Sequence, residues 1–475
     1  MNRAIRRVTV VAGLLILALL VNITVPAVLR YPSLNNNAQN RRVQIAQFAG
    51  PRGAILAGNT AIVSTAPSEG AFANARAYED GPMYAAVTGF YSFIYGRNKL
   101  EQQYNAVLTG TSNAQAIQQL INRVLGRGPD VGSLQTTIDP RAQQAAWKGL
   151  KGKQGAVVAL DYMTGAILAY VSTPSYDPAS LSSDDLAATQ QAWTTLNDDP
   201  TVPMADRAGR EIYPPGSTFK LVTAAAALEA GWTPDTQVDS PAQLTLPNTN
   251  TQLGNSGNCG GDKISLQQAL VVSCNTAFAN VGLQIGQDAI AAQAAKFGFG
   301  SSFGGDVNSA TSVFPTGLDQ AQTAMSAIGQ YDVTASPLQM AVVAAAIAND
   351  GQAMQPYFVS QVQATDLSIV SEHTPQSLGQ AVSVSTAQEL QQMMQAVVAG
   401  GTGQRAQVAG LTIGGKTGTA QSDNVRAPYA WFVGYAAELH VAVCVFVENS
   451  STNEDQSGGA TAAPIFKQVI RSLQS

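Results

Sequence analysis

Histidine is nearly missing from this chain: His373 and His440 are the two among 475 residues. His373 sits in a polar Ser-Glu-His-Thr-Pro segment, and His440 opens an apolar, strand-like run. Neither lies in a catalytic-looking motif, so a serine nucleophile here needs a base other than imidazole. Cysteine is scarce too. Cys259, Cys274 and Cys444 show no zinc-type spacing, and no metal or cofactor is expected. Basic charge is not in excess: the formal net charge is −5, which argues against a broad electrostatic claim on nucleic acid. Charged residues are only 12% of the chain against 45% hydrophobic ones, so a large core is expected and long disordered tails are not. No internal repeat is seen. The length suggests two or three domains.

One long apolar run is present, from Val8 to Leu29, interrupted by Asn22, Thr24 and Pro26. About 20 apolar residues span a bilayer, so 8–29 reads as an uncleaved transmembrane anchor. The competing reading is a cleaved signal peptide, which has a shorter apolar core and a small-x-small cleavage site; Val25-Pro26-Ala27 fits that poorly. Arg3, Arg6 and Arg7 precede the run and Arg30 follows it. That bias puts residues 1–7 in the cytoplasm and everything from about 31 outside, on a single-pass protein of the plasma membrane.

A polar linker begins at Asn35-Asn36-Asn37, and residues 31–150 form a first, non-catalytic region. Arg52-Gly-Ala-Ile55 and Ala61 to Thr65 look like a small β element, and Ala114 to Leu125 reads as a helix. Between them Tyr84, Phe90, Tyr91, Phe93, Tyr95 and Tyr104 are expected to pack this small domain. A short strand at Leu134 to Asp139 meets Pro140 and a helix to Leu150. Two apolar runs, Gly155 to Asp161 and Ala166 to Val171, then flank a Gly-containing turn and read as a hairpin that opens a second domain near 151. Helical patterns follow at 264–272, from Thr276, over 321–348 with a break at Ser336-Pro337, and over 386–398. Runs at 411–421, 429–435 and 440–448 read as neighbouring antiparallel strands before a last helix over 462–473. Strands, then helices, then strands is the pattern of a sheet with helices on its faces.

The stretch Tyr213-Pro-Pro-Gly-Ser-Thr-Phe-Lys220 stands at the centre of this plan. Pro214, Pro215 and Gly216 fit a turn, and the residues after Lys220 are strong helix formers. If a helix begins at Ser217, residues i and i+3 share a face and the Lys220 amine comes within reach of the Ser217 hydroxyl. Burial can lower a lysine's pKa enough to make it the missing base. Two further pieces follow in order, Ser273-x-Asn275 and Lys416-Thr417-Gly418, the latter on an edge-type strand. Each is weak alone; the ordered set is the known signature of serine β-lactamases and penicillin-binding proteins.

With these motifs the chain resembles the class B penicillin-binding proteins, the monofunctional D,D-transpeptidases of peptidoglycan synthesis, over nearly its full length. Thr137-Ile-Asp139, Gln143, Asp206-Arg-Ala208, Gly329-Gln330, Ser336-Pro-Leu-Gln-Met340, Gly401-Thr-Gly403 and Ala430-Trp-Phe432 also carry the likeness. The tyrosine-rich first domain and modest length look most like the actinobacterial penicillin-binding protein A group. The resemblance implies an α+β fold. A transmembrane helix and a small mixed α/β domain would precede a penicillin-binding, β-lactamase-like transpeptidase domain over 151–475, an antiparallel sheet with helices on both faces. It implies Ser217 as nucleophile, Lys220 as base, Ser273 as proton relay, and Asn275 as holder of the substrate amide and of Lys220. Lys416 would charge the cleft, and Thr417 and Thr419 would bind the terminal carboxylate. The N–H groups of Ser217 and Thr419 would form an oxyanion hole. Gly415 and Gly418 are expected to open the strand to substrate.

Expected partners are D-Ala-D-Ala stem peptides, β-lactams, the cytoplasmic membrane, and a SEDS-type membrane glycosyltransferase with division or elongation proteins. Cys259 and Cys274, both exported on this reading, are expected to pair beside the site; two free thiols are the alternative. Three rivals stand. A β-lactamase needs a deacylating glutamate, and none is recognisable. A D,D-carboxypeptidase shares the acylation chemistry but uses water as acceptor. A membrane-anchored sensor or scaffold would keep the fold without turnover.

Overall fold

The computed structural model describes residues 2–28, 41–70, 72–112, 115, 124–125, 130–420, 428–450 and 456–474. The linker expected at 35–37, and most of the helix expected over 114–125, fall outside the described residues. The first helix, Asn2–Val28, begins earlier than the apolar run and takes in the three arginines. Within its span Arg3–Val25 an 18-residue stretch has a mean hydropathy of 2.6, and none of that stretch is buried. Such a helix is long and apolar enough to cross a hydrocarbon core of about 30 Å.

The main sheet has five antiparallel strands in the order Ile413–Ala420, Tyr429–Ala436, Val441–Ser450, Lys153–Asp161, Ile167–Thr173. Strands alternate their side chains between faces, and both faces here are apolar. Val157, Ala159, Val443 and Val445 pack with Ala142, Ala146, Phe466 and Val469 of the helices Pro140–Gly149 and Ala463–Gln474. Val158, Val433, Cys444 and Phe446 turn to the other side, toward the almost wholly apolar helix Pro337–Ala348. This is the α+β sheet with helices on both faces. Cys444 is a buried free thiol in that core.

A second, six-stranded sheet runs in the order Ile369–Glu372, Val359–Gln363, Ser133–Thr136, Ile55–Ala57, Thr60–Pro67, Asn74–Tyr78. Its first two strands come from far along the chain, well beyond the expected domain boundary near 151. The aromatic residues likewise do more than pack the small domain. Phe48 stacks on Tyr91 at 4.9 Å within it, but Tyr95 stacks on Trp193 at 4.0 Å and the Tyr104 hydroxyl donates to Asp306 at 3.3 Å. Lys99 also pairs with Asp206, whose carboxylate accepts from the Tyr170 hydroxyl at 3.0 Å.

One buried ion cluster holds the first region together. Glu101 is fully buried. It accepts from Arg52 Nε at 2.6 Å and Arg76 Nε at 2.7 Å. Burial opposes its charge, but the Arg76 and Arg52 guanidiniums outweigh that and hold the carboxyl below the usual range. Arg52 also lies 4.1 Å over the Tyr91 ring. Removing one partner from such a cluster leaves the others charged and dry. Glu101→Ala is expected to cost about 3–5 kcal/mol of stability in denaturant unfolding; a loss below about 1 kcal/mol would mean that water replaces the carboxylate.

Candidate active site

Ser217 does not open an α-helix. It lies in the 3-10 turn Gly216–Phe219, and the helix Lys220–Glu229 follows. The change suits the motif, because residues i and i+3 eclipse in a 3-10 turn. The turn is fixed from outside by Gly329, whose carbonyl accepts from the Gly216 N–H at 2.9 Å. Gly329 has φ +72°, and a Cβ there would stand 2.2 Å from Gly216 O, so this position admits only glycine.

Lys220 is fully buried. Its Nζ donates to Ser273 O at 2.8 Å and Asn275 Oδ1 at 2.8 Å, with Ser273 Oγ at 3.4 Å. Among the described residues no hydrogen bond joins it to Ser217. Lys416, also fully buried, donates to Ser273 Oγ at 2.8 Å and Thr417 O at 2.9 Å. Ser273 thus stands between the two amines. It does so with φ +59°, a left-handed serine that costs about 1–3 kcal/mol and is tolerated mainly at functional sites. Burial, then the Lys416 charge, drives the Lys220 amine well below its ordinary pKa. Burial alone brings Lys416 down to about 7. An amine held this far below the ordinary lysine range is suited to act as a base.

The strand Ile413–Ala420 forms the sheet edge next to the Ser217 turn. Thr419 is exposed, while the Thr417 hydroxyl shares a hydrogen bond of 2.6 Å with that of Thr402. The two glycines make close packing possible. A Cβ at Gly415 would meet the Phe432 ring at 2.5 Å. One at Gly418 would meet Thr218 Cγ2 at 2.9 Å and Pro215 O at 3.1 Å, so Gly418 lets the strand lie against the Ser217 turn.

Ser217, Ser273, Asn275, Thr417 and Thr419 line one cleft of about 810 Å³, and the two lysines lie buried beneath it. Cys259 and Cys274 are joined by a disulfide, with Cα atoms 5.5 Å apart. Closing a loop of this length stabilises by about 3 kcal/mol. The histidines are elsewhere: His373 stacks on Tyr357 and His440 packs against Tyr162. Sequence reasoning gave no role to Thr402 or Gly329, although both stand in short glycine-containing motifs, and it passed over Asn255. This arrangement brings a serine hydroxyl, a buried amine with a lowered pKa, a second hydroxyl and a second buried amine to one cleft, the kinds of group that acyl transfer through a serine ester uses.

Comparison with known proteins agrees. Residues 155–471 match the penicillin binding protein transpeptidase domain, and residues 52–134 match the penicillin binding protein A dimerisation domain. The chain is 42% identical to the peptidoglycan D,D-transpeptidase PbpA of Mycolicibacterium smegmatis, over 99% of this chain and 98% of that one. It is 39% identical to PbpA of Mycobacterium tuberculosis over the same shares. The structure of penicillin-binding protein A from M. tuberculosis as a ceftriaxone acyl-enzyme complex superposes with a TM-score of 0.87 at 38% identity, covering 91% of this chain and all of that one. With the transpeptidase match spanning most of its length and the motif residues gathered at one cleft, the chain belongs to the class B penicillin-binding protein transpeptidases.

Proposed function

We propose that this protein is a peptidoglycan D,D-transpeptidase working through a Ser217 acyl-enzyme. The observation that carries the reading is the meeting of Ser217, Ser273, Asn275 and Thr419 in one cleft above two buried lysines. Ser217 Oγ attacks the carbonyl of the penultimate D-Ala of a stem peptide, and its proton passes to Lys220. The N–H groups of Ser217 and Thr419 hold the oxyanion. The peptide C–N bond then breaks, and the terminal D-Ala leaves as its amine takes a proton through Ser273. Thr417 and Thr419 hold the terminal carboxylate beside Lys416. An amine from a second stem peptide attacks the ester, forms the cross-link and frees Ser217. β-Lactams enter by the same first step and stay bound.

The first helix anchors the chain in the plasma membrane, with the arginines on the cytoplasmic side and the cleft outside. The first domain is the natural contact for a SEDS-type glycosyltransferase and for division or elongation proteins.

The test is turnover by the detergent-solubilised full chain on a synthetic peptide ending in D-Ala-D-Ala, followed by mass spectrometry. With a D-amino acid present as acceptor, the expected result is D-Ala release and an exchanged peptide. Hydrolysis that the acceptor leaves unchanged would make the protein a carboxypeptidase. A stable penicillin adduct with no peptide turnover would make it a sensor.

A further inference from the structure

We propose that Asn255 is a positioning residue for the catalytic base, acting through Asn275; the inference rests on the acyl-enzyme reading above. The helix Asn275–Ile285 starts without a cap from its own first residue. Cys274 holds the cap position and its sulfur, tied to Cys259, gives the first N–H groups no side-chain cap; it only accepts from the Thr276 hydroxyl at 3.5 Å. N–H groups at a helix start need an acceptor from somewhere. Asn255 supplies it from the loop that the disulfide draws in. Its Oδ1 accepts from the backbone N–H of Asn275 at 2.8 Å and of Thr276 at 3.0 Å. Its Nδ2 donates to Thr276 Oγ1 at 3.0 Å and to Pro241 O at 3.3 Å. Donors on one side and acceptors on the other fix which way this amide faces.

The adjacent carbonyl completes the arrangement. Gly254 O accepts from Asn275 Nδ2 at 3.0 Å, so Asn275 turns its Oδ1 to Lys220, at 2.8 Å. A neutral lysine amine has two N–H bonds and one lone pair. Ser273 O and Asn275 Oδ1 take the two N–H bonds, and that fixes the direction of the lone pair that must receive the nucleophile's proton. Without Asn255 the helix start loses its acceptor, the Asn275 amide can turn, and the lone pair is no longer aimed. General-base catalysis is sensitive to that kind of misplacement.

Asn255 also lines the cleft, so the experiment must separate positioning from direct contact with substrate. The second-order rate of acylation of the full chain by a fluorescent penicillin is measured against pH for wild type, Asn255→Ala, Asn275→Ala, the double variant and Asn255→Asp. Asn255→Ala is expected to slow acylation on the order of 10–100-fold and to displace the acid limb of the profile. Added to Asn275→Ala it is expected to cost less than about twofold more, because both act through one amide. Asn255→Asp keeps an acceptor for both N–H groups and is expected to recover rate relative to Asn255→Ala. A wild-type rate and profile for Asn255→Ala would overturn the proposal. So would a double variant in which the two losses multiply, the mark of a separate contact or of general loosening. If Asn255→Ala does not fold, the aspartate variant decides: a rate near wild type upholds the proposal, and one as low as that of Asn275→Ala overturns it. A wild-type chain that is not acylated at all would overturn the acyl-enzyme reading itself, and this inference with it.

Discussion

Ser217→Ala is expected to abolish covalent labelling by a fluorescent penicillin while leaving the fold intact. In the proposed reaction the Ser217 hydroxyl is the one group of the protein that bonds to the acyl carbon. Removing a nucleophile of this kind costs on the order of 10⁶ in rate, so a band that survives denaturation should vanish from the gel. The variant should still fold. Ser217 is half-buried and its side chain makes no hydrogen bond among the described residues, so the stability change should stay within about 0.5 kcal/mol. A persistent band in a folded Ser217→Ala chain would place the nucleophile elsewhere.

Lys220→Ala should slow acylation by about 10²–10⁴, the usual contribution of a positioned general base. The pH profile should then identify which amine does what. In the wild-type chain the rate is expected to rise with pH as Lys220 sheds its proton, at a pH well below a lysine's ordinary range. It should fall again as Lys416 loses its charge at a pKa of about 7. Lys416→Met removes a charge that helps to depress Lys220, so the rising limb should move to higher pH. If that limb stays in place when Lys416 is replaced, the two amines are not coupled as described. The same shifts affect stability with a definite sign. From each depressed value up to the unfolded lysine value, the unfolded chain binds the additional proton. Stability therefore rises with pH across that window and is lost as pH falls through it.

The acylating motif was legible in the sequence because its chemistry is local. Ser217 and Lys220 sit one turn apart, Ser273 and Asn275 flank one cysteine, and Lys416 to Thr419 lie on one strand. The hairpin at 153–173 and the three final strands were legible for a similar reason, since alternation and turns mark them within a few residues. What escaped depends on partners far away along the chain. Nothing near Val359 announces that it pairs with Thr136, and nothing near Glu101 announces Arg52 or Arg76. The sequence also does not show why Gly415 and Gly418 must lack a side chain, since the atoms that forbid one belong to Phe432, Thr218 and Pro215. Only the fold brings those neighbours close. Asn255 escaped for the same reason. As an asparagine in a loop rich in glycine and asparagine it looks like turn material, and its role appears only when the disulfide places it against the helix it caps.

The order of strands in the main sheet sets a schedule for folding. Val441–Ser450 lies between Lys153–Asp161 and Tyr429–Ala436, so the hairpin made early in synthesis waits for almost the last residues to arrive. The six-stranded sheet waits as well, until Ile369–Glu372 has been made. The growing chain therefore carries two unfinished sheet edges until its last quarter is made, the state in which proteins of this size are most open to aggregation and proteolysis. Chains cut short before residue 441 should be cleared by the cell rather than persist as partly active fragments.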